Sequence, residues 1–131
     1  MLRDLEKQAK RIVVADFEAG VGTMTRTDAK LLDVAIVVVE PYMKSIETAK
    51  RLVEIVRSSG GKRTIVVANK IRGEEDLEFI REKLGGVDLD IVVPEDRNIA
   101  DSDLAALSPI DRNPNSPAVN AIRDLAAHLA A

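Results

Sequence analysis

Four short runs of apolar, largely β-branched residues alternate along the chain with longer amphipathic segments. The runs are Ile12-Val13-Val14-Ala15, Val34 to Val39, Thr64 to Ala68 and Leu89 to Val93. Apart from Thr64 and Asp90 the runs are apolar, without the polar alternation of a half-exposed strand, which predicts strands covered on both faces. Such strands are typical of parallel sheets, in which crossover helices pack on both sides.

The segments between the runs have helical periodicity. Residues 44–58, with Ser45 as the expected N-cap and Gly60 as the stop, place four apolar side chains on one face: Ile46, Ala49, Val53 and Val56. In residues 74–84 the corresponding face holds Leu77, Ile80 and Leu84. Both segments are therefore predicted to be helices that pack on the sheet.

Further helices are predicted at the two ends of the chain. Ser116-Pro117 begins a last helix whose expected buried face is Val119, Ile122, Leu125 and Leu129. Leu2, Leu5 and Ala9 suggest a short opening helix, and Asp101 and Asp103 are expected to cap a short helix over residues 104–107.

Strands that alternate with helices over short connections predict an α/β fold. We expect an open, mostly parallel sheet of about four strands with flanking helices. The 131 residues show no internal repeat and no long linker, so residues 1–131 are predicted to form one α/β domain.

Composition excludes several kinds of chemistry. The chain has no cysteine and one histidine, so disulfides, zinc–thiolate sites and cysteine nucleophiles are excluded within it. The 19 basic and 22 acidic residues give a net charge of −3, which argues against a nucleic-acid partner. Without a signal-like start or a long apolar stretch, we expect a cytoplasmic protein with no membrane partner.

Polar residues follow each predicted strand. They are Asp16, Glu40, Asn69-Lys70 and Glu95-Asp96. Ligands of open α/β sheets bind at the carboxyl ends of the strands, so this edge is the predicted ligand site. A polar residue is also a common way to end a strand, which leaves a purely structural explanation open.

The richest of these strand ends is the stretch from Asp16 to Gly22. A carboxylate at a strand tip can hold a magnesium-bound water, and Gly20 would let the backbone approach a phosphate. A tight turn that needs glycines is the alternative explanation. No glycine in the chain begins a match to the phosphate-loop pattern G-x-x-x-x-G-K-[ST].

Asn69-Lys70 is the second candidate. An asparagine amide offers an acceptor and two donors in one plane, which suits the edge of a purine base. An asparagine in a turn is the alternative, and the turn Pro94-Glu95-Asp96 after the next run makes a base pocket more credible.

Taken together, these residues resemble the second half of the ParA/MinD-type (SIMIBI class) P-loop ATPases. The resemblance rests on Asp16-Phe17-Glu18-Ala19-Gly20, Arg26, Glu40-Pro41 with Ser45, Asn69-Lys70 and Pro94 to Ile99. Within that class the chain is most similar to the CooC branch, the nickel-insertion ATPases of carbon monoxide dehydrogenase maturation, which are related to the nitrogenase iron protein. The fold that this implies is a partial P-loop NTPase, or Rossmann-like, domain.

The resemblance also implies roles for individual residues. Asp16, Glu18 and Gly20 would form a loop like switch II, with Asp16 in the magnesium shell through water and Gly20 near the γ-phosphate. Asn69 and Lys70, with the turn Pro94-Glu95-Asp96, would bind the adenine of ATP or ADP, Asp96 being the expected side-chain contact.

The family's phosphate loop has no counterpart here. Without its lysine, we expect the chain alone to hydrolyse no ATP. In the family, the phosphate-loop strand lies between the strands that end at Asp16 and at Glu40. We therefore expect those strands to pair directly, or a second copy or separate subunit to fill the gap.

The candidate partners are accordingly a second copy of the chain in a homodimer, a subunit that carries the phosphate loop, and a partner in metalloenzyme maturation. The alternative function is that of an interaction or regulatory module that keeps the scaffold and binds no nucleotide.

Overall fold

The computed structural model describes residues 12–17, 24–60 and 63–130. Its strands are β1 (Ala35–Val39), β2 (Thr64–Ile71) and β3 (Ile91–Pro94). Its helices are α1 (Arg26–Leu31), α2 (Met43–Ser58), α3 (Glu74–Leu84), α4 (Arg97–Leu104), α5 (Pro109–Arg112) and α6 (Pro117–Ala130). Strands and helices alternate from β1 onward, as the hydrophobic pattern predicts.

The three strands form one parallel sheet in the order β1-β2-β3. Between β1 and β2 the register runs unbroken from Ala35 opposite Thr64 to Val39 opposite Ala68. Between β2 and β3 it shifts after Ala68, so that Ile71 lies opposite Pro94. The expected open, parallel α/β sheet is thereby confirmed.

Helices cover the two faces of the sheet unequally. On one face, α2 and α3 pack over β1 and β2 in a core that includes Val37, Val39, Ile46 and Ile80. On the other face, α6 packs over β2 and β3, where its small residues Ala118 and Ala121 contact the strands. In the β1–β2 register, Ile36 and Val38 lie on the α6 side, and they are 40% and 53% exposed.

The prediction of a strand at Ile12–Ala15 is wrong. Residues 12–17 form no strand, and the side chains of Ile12 and Val14 are 96% and 86% exposed. This segment does not pair with β1, so the direct pairing considered from the sequence does not occur. An apolar run becomes a strand only where a neighbouring strand can accept its hydrogen bonds, and β1 pairs only with β2 among the described residues.

Several helix predictions are confirmed and others are corrected. The predicted buried face of α2 and the residues Ile80 and Leu84 of α3 are buried. The N-cap of α2 is Tyr42, because the hydroxyl of Ser45 instead accepts a hydrogen bond from the backbone N–H of Glu40. The predicted opening helix at residues 2–9 lies outside the described residues.

Two further differences concern the end of the chain. The short helix expected at residues 104–107 ends at Leu104, and its N-cap is Asp96. In α6, Ile122 is half exposed and the buried positions are Ala118, Val119 and Ala121. Alanines let the helix approach the sheet closely, so the buried face is rotated away from the larger side chains.

Candidate functional site

The carboxyl ends of the three strands lie along one edge of the sheet because all strands are parallel. Glu40 directly follows β1, Asn69 and Lys70 lie near the end of β2, and β3 ends at Pro94. The backbone N–H of Glu95 donates to the carbonyl of Ile71 over 2.9 Å, which joins the turn after β3 to the end of β2. The structure thus brings these predicted site residues together.

Glu40 connects two of the strand ends. Its Oε1 lies 3.0 Å from Nζ of Lys70 and accepts a hydrogen bond from Nδ2 of Asn69 over 3.5 Å. Its own backbone N–H is held by the hydroxyl of Ser45 at 2.9 Å. These contacts join the end of β1, the first turn of α2 and the end of β2.

Lys70 adopts an unusual backbone conformation. Its φ is +56°, in the left-handed region that residues other than glycine and asparagine rarely adopt. This residue falls within the register shift between Ala68 and Ile71. The hydrogen bond and the negative charge of Glu40 raise the pKa of Lys70 above its usual range, so the ammonium is retained at neutral pH.

Asp96 accepts hydrogen bonds from the starts of two helices. Its Oδ1 accepts from the backbone N–H of Asn98 in α4 at 2.8 Å, and its Oδ2 from that of Ala118 in α6 at 2.9 Å. The bond from Ala118 and the bond from Asn98 lower the pKa of Asp96 below its usual value, against the effect of burial. Both oxygens are engaged within the protein, so the predicted contact with adenine would have to share an oxygen already in use.

Asn98 is a supporting residue that the sequence patterns did not identify. Its buried side chain donates to the carbonyl of Pro109 at 3.0 Å and to the hydroxyl of Ser116 at 3.2 Å. Arg112 donates to its Oδ1 at 2.9 Å. The network holds α4, α5 and the start of α6 around the turn that ends in Asp96. The available sequence signal is the Asp-x-Asn spacing, in which Asp96 caps the turn that contains Asn98.

Two cavities in the described part of the chain lie away from this edge. One cavity, of about 190 Å³, is lined by Thr64 at the start of β2 and by Asp88 and Asp90 before β3. Another, of about 350 Å³, lies between α2 and the end of α3. Both therefore lie toward the amino ends of the strands. We place the candidate site at the carboxyl edge because the chemistry-bearing side chains converge there.

Known proteins share this sequence and fold. No protein-family profile matches the chain. The carbon monoxide dehydrogenase accessory protein CooC of Rhodospirillum rubrum is 32% identical over 114 residues, which cover 87% of this chain and 43% of that protein. The ATP-binding protein MJ0823 of Methanocaldococcus jannaschii is 32% identical over 108 residues, covering 79% of this chain and 41% of the relative.

Solved structures agree with the sequence relatives. The cell division protein MinD of Aquifex aeolicus matches with a TM-score of 0.65 at 26% identity, over 84% of this chain and 48% of that chain. MinD in its complex with MinC matches with a TM-score of 0.66. The chain is a homologue of CooC and the MinD/ParA-type ATP-binding proteins.

This CooC/MinD homologue spans less than half the length of the relatives it matches, which fits their C-terminal half. No helix in the described ranges is both long and apolar enough to span a bilayer.

The residues expected to resemble switch II are only partly described in this homologue. Asp16 is exposed in a segment that belongs to no strand, and Glu18 and Gly20 lie outside the described residues. Across residues 12–17, 24–60 and 63–130, no three acidic or histidine side chains are grouped as a metal site would require. One aspartate suits a magnesium ion that keeps most of its waters, so the described residues supply at most part of a magnesium site.

Proposed function

We propose that residues 1–131 form one α/β domain, which corresponds to the base-binding half of a CooC/MinD-type nucleotide-binding domain. Asn69 and Lys70 would face the adenine of ATP or ADP, and the turn Pro94-Glu95-Asp96 would line the base. The observation that carries this proposal is the convergence of Glu40, Asn69-Lys70 and the turn after β3 on one edge of the sheet. Ligands of this fold class bind at that edge.

In this proposal the phosphates are held by residues that the chain does not contain. The sequence has no G-x-x-x-x-G-K-[ST] match, and phosphoryl transfer depends on the positioning and positive charge that such a loop supplies. Asp16, Glu18 and Gly20 would contribute the switch-like side of the phosphate site, with Asp16 holding magnesium through water. The chain alone would bind nucleotide weakly and hydrolyse none.

In this proposal the polypeptide that carries the phosphate loop would pack at the open edge of β1. This strand, Ala35–Val39, contains no charge or proline, and Ile36 and Val38 leave its α6-side face exposed. Pairing β1 with β1 of a second copy would satisfy backbone hydrogen bonds without covering that face. A subunit that brings a strand and a packed helix would satisfy both, so we favour a phosphate-loop-bearing subunit over a homodimer.

The relationship to CooC suggests a process as well. The relative is named as an accessory protein of carbon monoxide dehydrogenase. A partner in metalloenzyme maturation is the corresponding proposal for this chain.

Isothermal titration with ATP and magnesium tests the proposed base site. The wild-type chain is expected to bind ATP with low affinity, and Asn69→Ala should abolish the heat of binding because the purine-facing amide is removed. Asn115→Ala, at an exposed position in the connection before α6, is the matched control and should bind like wild type. Unchanged binding by Asn69→Ala, or tight binding with turnover by the chain alone, would contradict the proposal.

An interaction module that binds no nucleotide is the second candidate function. The exposed apolar face of β1 favours it, because such a surface is typical of docking sites. Under this function Asn69→Ala would leave partner binding intact, and no titration heat would be seen with ATP for any variant.

A further inference from the structure

The contacts of the Glu40 side chain cannot be predicted from its position in the sequence. It lies outside the group of residues expected to contact nucleotide, yet its carboxylate contacts both Asn69 and Lys70. The side chain of Glu40 is 23% exposed, whereas that of Lys70 is 63% exposed. The carboxylate therefore lies on the protein side of the pair, and the lysine on the solvent side.

A carboxylate dictates the orientation of a neighbouring amide. Ionised Glu40 has only acceptor atoms, so the amide NH₂ of Asn69 faces it and the opposite orientation would bring two oxygens together. The 3.5 Å separation is at the long end of hydrogen-bond range, but the preference is electrostatic and does not need a short bond. The Oδ1 of Asn69 is consequently directed away from Glu40.

The ion pair with Lys70 keeps this arrangement in place. Lys70 contacts the same Oε1 atom, and the bond from the backbone N–H of Glu40 to Ser45 fixes the residue from the other side. Lys70 has its left-handed backbone at the point where the register shifts, and its Nζ lies 3.0 Å from Glu40 at the end of β1. An exposed ion pair contributes little to stability, so its effect here is on orientation.

We propose that Glu40 is a positioning residue that orients the Asn69 amide and holds Lys70, and so makes the site distinguish a 6-amino purine from a 6-oxo purine. The selectivity rests on the proposed nucleotide-binding function. An outward-facing Oδ1 accepts a hydrogen bond from the 6-amino group of adenine, whereas the 6-oxo group of guanine is an acceptor and is repelled. Through this orientation, Glu40 contributes to the discrimination between the two 6-substituents.

The positioning is tested on the free chain by ¹⁵N NMR. Glu40→Gln is expected to shift the side-chain NH₂ signals of Asn69, assigned by their loss in Asn69→Ala, and to lower the pKa of Lys70. Glu78→Gln, on the exposed side of α3, is the matched control and should leave both unchanged. Unchanged Asn69 and Lys70 signals in Glu40→Gln would overturn the positioning role.

The selectivity is tested by competition of ATP and GTP for the site, with a fluorescent adenine nucleotide as the probe. The wild-type chain and Glu78→Gln should prefer ATP by about tenfold, and Glu40→Gln should reduce the preference to near unity, because a glutamine permits both amide orientations.

The outcomes separate the two proposals. If neither nucleotide displaces the probe from the wild-type chain, the proposed function and the selectivity fall together, while the NMR measurement still decides the positioning. If ATP binds and Glu40→Gln keeps the full preference, the positioning role in recognition is wrong and the proposed function stands.

Discussion

Asp96 shows how a single carboxylate can determine the geometry of a whole site edge. It begins α4 through Asn98 and α6 through Ala118, so two helices share one side chain as their N-terminal acceptor. A negative charge at a helix N-terminus is also favoured by the helix dipole. The turn after β3 is consequently fixed by bonds internal to the protein.

Replacing Asp96 should destabilise the fold by an amount that depends on how many of its two acceptor oxygens are removed. Asp96→Ala removes both acceptors and is expected to lower the free energy of unfolding by about 2 kcal/mol. Asp96→Asn keeps one acceptor and should cost about half as much. Urea denaturation at neutral pH measures both, with Asp124→Asn on the exposed face of α6 as the control. Equal stability of all three variants would show that the two bonds contribute nothing.

The lowered pKa of Asp96 predicts that its contribution to the free energy of unfolding depends on pH in the acid range. The pKa of Asp96 is lowered in the folded state, so its stabilising contribution is complete above the unfolded value of about 3.9 and is lost as the pH falls through the folded value. The stability difference between wild type and Asp96→Asn should therefore shrink as the pH falls below about 4. A difference that stays constant throughout acid denaturation would contradict this linkage.

At the scale of elements, β1 differs from the central strand β2. It pairs on one edge with β2, and its side chains alternate between a face buried under α2 and a face that α6 leaves uncovered. The hydrophobic run alone predicts a strand covered on both faces, and the structure covers only one. Adjacent positions in β1 therefore have very different tolerances to substitution.

A pair of lysine substitutions in β1 tests this asymmetry. Val38→Lys, at a position 53% exposed, should change the free energy of unfolding by no more than about 0.5 kcal/mol. Val37→Lys, at a position 3% exposed, should prevent stable folding because it buries a charge. Thermal unfolding measures the first effect and far-ultraviolet circular dichroism the second. A large loss in Val38→Lys would mean that this face is covered in solution.

At the scale of the whole molecule, the chain matches less than half of each relative. The described sheet has three strands. Its outer strands β1 and β3 each have one edge without a partner strand in the described ranges, and the apolar segment Ile12–Ala15 joins no strand. These features are what a domain would show if one or more further strands pack beside β1. The proposed complementation by a second polypeptide rests on these features.

Complementation can be tested with the part of Rhodospirillum rubrum CooC that lies outside the match to this chain. Mixing the two should give a complex on size-exclusion chromatography with light scattering, and the complex should bind ATP more tightly than this chain alone. Val38→Lys, which leaves the chain folded, should prevent the complex by placing a charge on the docking face. Complex formation unaffected by Val38→Lys would place the partner elsewhere.

Local sequence patterns are sufficient to predict the elements and the fold class. The buried faces of α2 and α3 follow from helical periodicity, and the strands β1, β2 and β3 follow from short apolar runs, which is local information that each segment carries. The parallel order follows from strands alternating with helices, and the gathering of Glu40, Asn69-Lys70 and the Pro94 turn at one edge follows from that order.

The remaining features depend on contacts between residues that are far apart in the sequence. Ile12–Ala15 has the composition of a strand but pairs with no strand, and α6 buries alanines in place of Ile122 because the sheet dictates the closest approach. The bond from Ala118 to Asp96 and the contacts of Glu40 with Asn69 and Lys70 join residues 22 to 30 positions apart. No periodicity encodes such contacts, because they exist only after the strands have been placed side by side.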